Sequence, residues 1–385
     1  MEKKAMIPKL RFPEFEGDWD RKKIKNCLSI GSGKDYKHLN KGEIPVYGTG
    51  GLMTYVDDFL YDGETVCIGR KGTIDNPRYF NGKIWTVDTL FYTNSFKETL
   101  PKFIYFIFQR INWKQHNEAS GVPSLSKNTI ESIKITLPTL PEQQKIASFF
   151  TAIDQKLTHL KRKKTLLEQY KKGVMQKIFA QEIRFKDENG KEYPDWERKK
   201  LKDVLFEHKT LNSGNKFPEV LSVAKQKGVI NQIEHLGRSF AAKDISNYKV
   251  INPYDIVYTK SPTSDYPFGI IKQSQLNRSG VVSPLYGVFK PATPALGFML
   301  HNYFLSWVNT YNYLKPLVEK GAKNTMNINN NTFLNGVKLS LPVSEREQTK
   351  IANFLSTIDK KIDAVAEAIE ATECWKKGLM QQMFC

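Results

Sequence analysis

Cysteine, long apolar runs and catalytic motifs are all scarce in this chain of 385 residues. Its four cysteines, Cys27, Cys67, Cys374 and Cys385, are scattered and form no Cys-x-x-Cys pair. Such spacing argues against a disulfide framework or a zinc site and favours a reduced, intracellular protein. No apolar run reaches the roughly 18 residues of a membrane span, and the first residues lack the apolar stretch of a secretory signal. We therefore expect a cytoplasmic protein without a membrane partner.

Recognisable catalytic motifs are incomplete wherever they begin. Gly48-Thr49-Gly50 is not followed by the helix and the acidic residue that accompany a dinucleotide-binding loop. In a second segment, Gly31-Ser32-Gly33-Lys34, Leu28 stands where a P-loop needs its first glycine. Asn252-Pro253-Tyr254 lacks one proline of the adenine-methyltransferase motif. The six histidines show no ligand spacing. The sequence thus predicts no catalytic residue, metal site or cofactor of its own.

What the sequence does contain is an excess of basic residues, 58 lysines and arginines against 40 acidic residues. The net charge is +5 over residues 1–141 and +8 over residues 180–346, so both globular parts are basic. Such charge favours a polyanionic partner such as nucleic acid, with a solvated lysine-rich surface as the alternative. The length predicts two or more domains.

A long amphipathic segment is present twice. Residues 145–157 read KIASFFTAIDQKL, and residues 350–362 read KIANFLSTIDKKI. Apolar residues spaced three and four apart predict one long helix with a single apolar seam in each copy. The predicted seam residues are Ile146, Phe150, Ile153, Leu157, Leu160, Leu167 and Val174 in the first helix and Ile351, Leu355, Ile358, Ile362 and Val365 in the second.

The two predicted helices differ in charge, which favours pairing with each other over self-pairing. Residues 142–179 include nine basic and three acidic residues, and residues 347–385 include five and six. Lys164 and Lys171 fall on the first seam, so we expect either that the middle of the seam is weaker or that their aliphatic stems extend outward to solvent.

The duplication extends beyond the helices. Residues 18–25 (DWDRKKIK) return as residues 195–202 (DWERKKLK), and residues 133–138 (IKITLP) return as residues 337–342 (VKLSLP). The second pair alternates apolar and polar residues like a half-buried strand that proline ends. We call the opening segment, this exit strand and the long helix the frame, and the residues inside it the body. The two bodies share no similarity that can be aligned.

Each body is expected to mix α and β structure. In the first body we predict strands over residues 46–51, 64–72 and 83–92, a helix over 101–113 and a loop over 121–126. In the second we predict strands over residues 217–224, 255–260 and 280–290, a helix over 296–314 and an Asn-rich loop over 323–331.

Polar residues in the predicted loops are the candidate contacts to DNA. Arginine pairs with guanine, and asparagine or glutamine with adenine, so these residue types suit reading of base edges. A solvated surface charge is the alternative for each of them. The candidates are Tyr47, Thr49, Arg70, Lys71, Thr73 and Ser124 in the first body and Lys225, Gln226, Arg238, Lys260, Ser261 and Asn324 in the second.

The duplicated frame resembles the specificity subunit of type I restriction–modification systems. The resemblance is carried by the two helix openings, Pro141-Glu142-Gln143-Gln144 and Glu345-Arg346-Glu347-Gln348, and by the duplicated segments 18–25 and 195–202. The YGTGG and IGRKG loops have the same look, and the resemblance covers essentially the whole chain. The second helix departs in having Ser344-Glu345-Arg346 where the first has Leu140-Pro141.

This resemblance implies an α+β fold with two mixed α/β target-recognition domains, two long antiparallel coiled-coil helices and an internal pseudo-two-fold duplication. The implied parts are the first domain with its N-terminal frame segment (1–139), a spacer helix (140–180), the second domain (181–342) and a second spacer helix (343–385). Each domain would read one half of a bipartite double-stranded DNA target in the major groove. Helices of about 38 residues span roughly 57 Å, so they would set the spacing and dock partner subunits.

The resemblance also implies a division of labour in which this chain is not an enzyme. Two modification (methyltransferase) subunits would carry S-adenosylmethionine and methylate adenine N6, and two restriction (motor–nuclease) subunits would use ATP and Mg. This chain itself would bind no cofactor. A coiled-coil interaction scaffold without specific DNA binding is the alternative. A stand-alone DNA-modifying enzyme is a third possibility, which the missing motifs argue against.

Overall fold

The computed structural model describes residues 6–225, 227–260, 263, 266–320 and 326–385. The chain forms two compact units: the first comprises Met1–Arg162 and Val365–Cys385, and the second comprises Lys163–Ala364. Each unit therefore contains one body and part of each long helix. Throughout the described ranges, every helix is too short or too polar to cross a membrane.

The first unit has nine strands and two short helices between its opening segment and the long helix, within the residues described. They are β1 (Asp20–Lys23), β2 (Ser29–Ser32), β3 (Ile44–Gly48), β4 (Gly51–Val56), β5 (Glu64–Gly69), β6 (Arg78–Asn81), β7 (Trp85–Thr86), β8 (Leu90–Asn94), α1 (Pro101–Arg110), α2 (Lys127–Ser132) and β9 (Lys134–Leu137). The main sheet has the order β2-β8-β5-β6, and β4-β3-β7 form a smaller sheet. The central strand β5 is buried along nearly its whole length, and α1 buries Phe103, Phe106 and Phe108 in the core.

The first long helix, α3 (Leu140–Phe179), runs from the first unit into the second. The described elements of the second unit that follow it are β10 (Glu197–Lys199), β11 (Leu205–Glu207), β12 (Leu221–Ala224), β13 (Gly228–Asn231), α4 (Gln232–Leu236), β14 (Lys249–Ile251), β15 (Ile256–Thr259), β16 (Ile270–Gln273), β17 (Gly280–Val282), β18 (Gly287–Pro291), α5 (Pro294–Tyr303), α6 (Trp307–Leu314), β19 (Glu319–Lys320), β20 (Met326–Asn327), α7 (Asn330–Leu334) and β21 (Leu339–Leu341). The second long helix, α8 (Glu345–Gln382), ends in the first unit.

The two bodies are more alike in structure than in sequence. The main sheet of the second unit has the order β11-β18-β15-β16, which repeats β2-β8-β5-β6 position by position. A helix that begins with proline, α5 in place of α1, follows the sheet in each case. The two bodies therefore share a sheet although their sequences cannot be aligned. Buried strands need only apolar residues of suitable size, so different residues can form the same sheet. The additions differ: β3, β4 and β7 in the first body, and β12, β13, β14, β17 and α4 in the second.

The opening segment and the exit strand of each copy pair with each other. β1 is antiparallel to β9 with Asp20 opposite Leu137, and β10 is antiparallel to β21 with Glu197 opposite Leu341. This pairing closes each body into a loop whose ends meet at the start of a long helix.

Side chains at the start of each long helix hold the opening segment. Arg11 donates from Nε and Nη2 to the buried carboxylate of Glu142 at 2.8 and 2.7 Å. The repeat counterpart places Arg184 3.4 Å from Glu347 in the second unit. Both carboxylates are almost fully buried, so removal of the guanidinium would leave each of them without a charged partner in the interior.

A buried glutamine one residue further along links each helix to its body. Gln143 donates to the carbonyl of Pro138 at 2.9 Å and accepts from the amide of Leu100, which caps α1. Gln348 donates to the carbonyl of Pro342 and accepts from the hydroxyl of Thr293, which caps α5. The Glu-Gln pair of the helix opening is thus a structural clamp in both units.

Within the first unit, the beginning of α3 packs antiparallel to the end of α8. The rings of Phe150 and Phe384 lie 5.8 Å apart, and further along the pair Lys161 lies 2.6 Å from Glu373. Phe384 also packs edge-on against Trp19, so the end of α8 is part of the first core.

Within the second unit, the end of α3 packs antiparallel to the beginning of α8. Ile178 and Ile351 share a buried cluster, and Lys171 lies 2.6 Å from Asp359. The expectation that Lys171 extends to solvent is wrong, because its side chain is only 12% exposed and paired across the helices. Lys164, by contrast, is 38% exposed beside Glu168.

The proposed seam residues fall into two groups by burial. Those near the bodies are buried: Ile146, Phe150, Ile153, Leu157, Val174, Ile351, Leu355, Ile358 and Val365. Leu160, Leu167 and Ile362, further from the bodies along the sequence, are half-buried. The seam is therefore tightest where each helix half also contacts a body.

Three segments that were predicted as single elements are each divided into two elements by a short connecting segment in the structure. Residues 83–92 form β7 and β8, separated by a turn closed from Leu90 to Val87, and residues 280–290 form β17 and β18 on either side of Pro284. The helix predicted over 296–314 is two helices, because the Ser306 side chain caps a new start for α6. Of the predicted Asn-rich loop, residues 323–325 lie outside the described residues, and the rest contains β20 and the start of α7, which Asn329 caps.

Candidate nucleic-acid interface

The strongest candidate surface in the first unit is the loop that follows the central strand β5. Its backbone is fixed by hydrogen bonds from the amides of Arg70 and Lys71 to the carbonyl of Thr89 and from the Gly72 amide to the carbonyl of Pro123. Gly72 has a φ of +86°, which favours glycine. The loop is therefore rigid in its main chain, while its basic side chains are exposed.

Arg70 is oriented by a carbonyl and an aromatic ring, and it forms no ion pair with the residues that the structure describes. Its guanidinium lies 3.5 Å from the backbone carbonyl of Asp88 and 5.9 Å from the centroid of the Phe91 ring. A carbonyl and an aromatic face orient an arginine while leaving its remaining donors available for a base edge or a phosphate.

Three further candidates lie around this loop. Ser124 forms an isolated bridge with Lys71, and its amide donates to the Asn117 side chain at 2.8 Å. The Thr49 hydroxyl lies 3.5 Å from the position that a Cβ on Gly72 would take. Thr73 is exposed next to Gly72. The structure thus brings Thr49, Arg70, Lys71, Thr73 and Ser124 onto one surface of the first unit.

Tyr47 differs from the other candidates of the first body. Its ring packs 4.3 Å from the Phe80 ring, and burial raises the pKa of its hydroxyl. The Tyr47 ring is therefore half-buried against Phe80 and is not fully exposed to solvent.

An open cleft of about 630 Å³ adjoins Thr49. It is lined by polar residues that the sequence did not single out, among them Asp35, Lys37 and Asp88, and by the exposed side chains of Leu52 and Met53. These residues come from the loops after β2 and β7 and from strand β4, so only the folded chain brings them together. A glycine turn followed by two exposed apolar residues was the one signal in the sequence.

In the second unit, Lys260 directly follows β15, as Arg70 directly follows β5. Because β15 and β5 hold the same position in matching sheets, the two basic residues are topological counterparts. Burial and the neighbouring Lys249 ammonium lower the pKa of Lys260. Lys249 itself donates to the carbonyl of Tyr286 at 2.6 Å. The Glu207 carboxylate acts in the opposite direction on the pKa of both lysines, so one negative charge already lies near them.

The remaining described candidates of the second body lie apart from Lys260. Lys225 directly follows β12, between the two strands of the β12–β13 hairpin, and its ammonium lies 5.9 Å from the Tyr266 ring. Arg238 lies on the exposed segment after α4, with its guanidinium 4.6 Å from the Phe240 ring. Gln226, Ser261 and Asn324 lie outside the described residues. Among the described residues, no group of His, Cys, Asp and Glu is arranged to hold a metal ion.

Residues 16–169 match the family model described as the type I restriction modification DNA specificity domain. The matched region begins at the opening segment and extends into α3, and the frame then recurs in the second half. This part of the chain is therefore similar to the DNA specificity domain of type I restriction–modification systems.

Two specificity subunits of type I restriction enzymes from Methanocaldococcus jannaschii are similar to this chain in sequence. The MjaVIII specificity subunit is 29% identical over 154 residues, 38% of this chain and 34% of that protein. The MjaIX specificity subunit is 25% identical over 303 residues, 68% of each chain. The chain thus matches about a third of the length of the first relative and about two thirds of the second.

A solved structure supports the fold. The S subunit of a type I restriction–modification system from M. genitalium superposes with a TM-score of 0.65, at 13% identity and over 99% of both chains. This likeness extends the α+β, two-body architecture to the second half of the chain, beyond the region matched by the family model.

Proposed function

We propose that this chain is the DNA-specificity subunit of a type I restriction–modification complex and is not itself an enzyme. Each unit would read one half of a bipartite double-stranded DNA target. The observation that carries the proposal is that Arg70 and Lys260 occupy corresponding positions. Each is a basic residue that directly follows the same central strand in one of two matching sheets. Their surroundings differ, as two readers of different half-sites require.

The proposed division of labour is the one that the similarity to type I specificity subunits implies. Two modification subunits carrying S-adenosylmethionine would methylate adenine on the two half-sites, and restriction subunits using ATP and Mg would cleave unmodified DNA. The long helices would set the distance between half-sites. Deletion of one heptad from both α3 and α8 should then shorten the spacer of the methylated site or abolish methylation.

The proposal is tested by mapping methylated adenines across the host genome with and without the gene for this chain. We expect a bipartite sequence to lose its methylation when the gene is removed and to regain it on complementation. An unchanged methylation map would contradict the proposal.

An interaction scaffold is the competing function, and salt dependence of DNA binding separates the two. A specificity subunit that contacts several phosphates should bind DNA with a steep loss of affinity as salt rises. Absence of DNA binding by the assembled complex at any salt concentration would favour the scaffold.

A further inference from the structure

The hairpin of β3 and β4 in the first unit presents two adjacent apolar side chains to solvent. Leu52 is 50% exposed and Met53 is 53% exposed. Both line the cleft beside Thr49, together with charged residues. Single exposed apolar residues are ordinary on a protein surface. Two neighbours on the wall of one cleft instead suit a ligand that carries an apolar group.

The turn that carries these two residues is held in place by the rest of the first unit. Arg78 donates from Nη2 to the backbone carbonyl of Thr49 at 3.3 Å. Gly51 has a φ of +128°, a conformation that favours glycine. The positions of Leu52 and Met53 are thus set before a ligand arrives, which lowers the entropy cost of binding.

The cleft adjoins the Arg70 loop. The Arg70 guanidinium donates to the backbone carbonyl of Asp88 at 3.5 Å, and Asp88 lines the cleft. The amides of Arg70 and Lys71 donate to the carbonyl of Thr89, which also lines the cleft. A DNA duplex that reaches the Arg70 side chain therefore also reaches the edge of the cleft.

The charges in the cleft favour a base edge over a phosphate. Asp35 and Asp88 are exposed, and neither forms an ion pair with a residue that the structure describes. Lys37 adds one positive charge against these two negative ones. Two carboxylates repel a phosphate, whereas the amino groups of adenine and cytosine can donate to a carboxylate in the major groove.

An apolar wall narrows the choice of base. In the major groove, the apolar group that the ordinary base pairs present is the C5 methyl group of thymine. Leu52 and Met53 offer it an apolar surface, and a carboxylate across the cleft can accept from the amino group of the paired adenine. The lining of the cleft thus matches the major-groove edge of an A·T pair.

We propose that Leu52 and Met53 contact the methyl group of a thymine that lies next to the base read by Arg70. The inference rests on the proposed function and deepens it, because it names a base and the side chains that select it. Strands β3, β4 and β7 belong to the first body alone within the residues described. The contact is therefore confined to the half-site that the first unit reads.

Deoxyuridine lacks only the methyl group of thymine, so it isolates the proposed contact. The chain is assembled with the modification subunit of its own system and titrated with duplexes of the mapped target, in which each thymine is replaced in turn. The half-site of the first unit is the half that changes when residues 24–137 are exchanged. We expect one replacement in that half to weaken binding about fourfold, because burial of one methyl group contributes about 0.8 kcal/mol.

The variants Leu52→Ala and Met53→Ala test whether these side chains make the contact. The double variant should bind the thymine and deoxyuridine duplexes equally, and its affinity for the deoxyuridine duplex should stay within about twofold of the wild type. Leu166→Ala, at a leucine of α3 that is 54% exposed, is the matched control and should keep the fourfold difference. Because all three side chains are about half exposed, each variant should melt at the wild-type temperature.

Three results would overturn the inference. The first is that no thymine in the half-site of the first unit depends on its methyl group. The second is that the double variant retains the fourfold difference. The third is that the double variant loses affinity for both duplexes equally, which would assign the two side chains to a protein contact or to the DNA backbone.

The wild-type complex is also titrated with a scrambled duplex. Absence of any preference for the mapped target would overturn the proposed function, and this inference with it. A clear preference for the mapped target without methyl dependence would overturn this inference alone.

Discussion

Lys376 and Asp154 form an ion pair at 2.6 Å that joins the end of α8 to the first half of α3. Lys171 and Asp359 form the corresponding ion pair in the second unit, also at 2.6 Å. Each of these two residues lies 205 positions from its counterpart in the first pair. In both units the lysine comes from the end of one helix and the aspartate from the beginning of the other. Each unit is therefore completed by a helix half from the other copy of the frame.

Reversal of this ion pair should destabilise one unit and should be repaired only by its own partner. Asp154→Lys places two ammonium groups together at a partly buried site, so we expect the first unit to lose about 1–3 kcal/mol of unfolding free energy. The double variant Asp154→Lys, Lys376→Asp should regain most of it. Chemical denaturation, with hydrogen exchange to identify the unit that opens, measures both effects.

The matched control for this reversal combines Asp154→Lys with Lys171→Asp. Because Lys171 belongs to the other pair, this combination should not repair the first unit and should weaken the second. Equal recovery in the two double variants would contradict the assignment of separate pairs.

Lys272 on β16 is a buried cation whose charge opposes folding. Burial, with a smaller contribution from the Lys171 ammonium, lowers its pKa to about 8. His301 is half-buried, and burial together with these two lysines lowers its pKa well below the ordinary value. A lysine pKa that is lower in the folded state means that the unfolded state binds more protons between about pH 8 and pH 10.5, where stability rises with pH.

Lys272→Met should therefore stabilise the second unit at pH 7, by up to about 3 kcal/mol. The advantage over the wild type should shrink by half or more at pH 9.5, because the wild-type lysine is then largely neutral in the folded state. Chemical denaturation of both proteins at the two pH values measures the difference. A constant advantage would show that the effect comes from packing, and a destabilised variant would contradict the burial argument.

Arg70→Ala should separate base reading from phosphate contact in the first unit. If the guanidinium pairs with a guanine, the loss of about 1–3 kcal/mol of binding free energy should be confined to the specific site. Titration of specific and scrambled duplexes at a fixed salt concentration measures both affinities. Arg21→Ala, which removes an exposed arginine that is not among the candidate contacts, is the matched control. An equal loss on both duplexes would reassign Arg70 to the phosphate backbone.

The frame was predictable from sequence because its residues serve the same specific contacts twice. Glu142 and Glu347 need a guanidinium, and Gln143 and Gln348 need both a donor and an acceptor on the adjoining chain. Such polar contacts tolerate few residue types, so the duplication stays visible.

The common sheet inside the bodies was not predictable in the same way. Strands such as β5 and β15 require apolar side chains but not particular ones, so their sequences ETVCIG and IVYT share no pattern beyond burial. The sequence also did not reveal the cleft beside Thr49. Asp35 and Asp88 lie far apart in the sequence, and only the folded strands bring them to the same cleft. Conversely, Tyr47 was selected as a polar loop residue, although its ring packs on Phe80.

The most direct test of the account is an exchange of one body within an intact frame. Residues 24–137 would be replaced by the corresponding body of a type I specificity subunit, with both long helices left unchanged, and the methylated sequence would be mapped in the host. The account predicts that one half of the bipartite site changes while the other half remains. A change in both halves, or in neither, would contradict the assignment of one half-site to each unit.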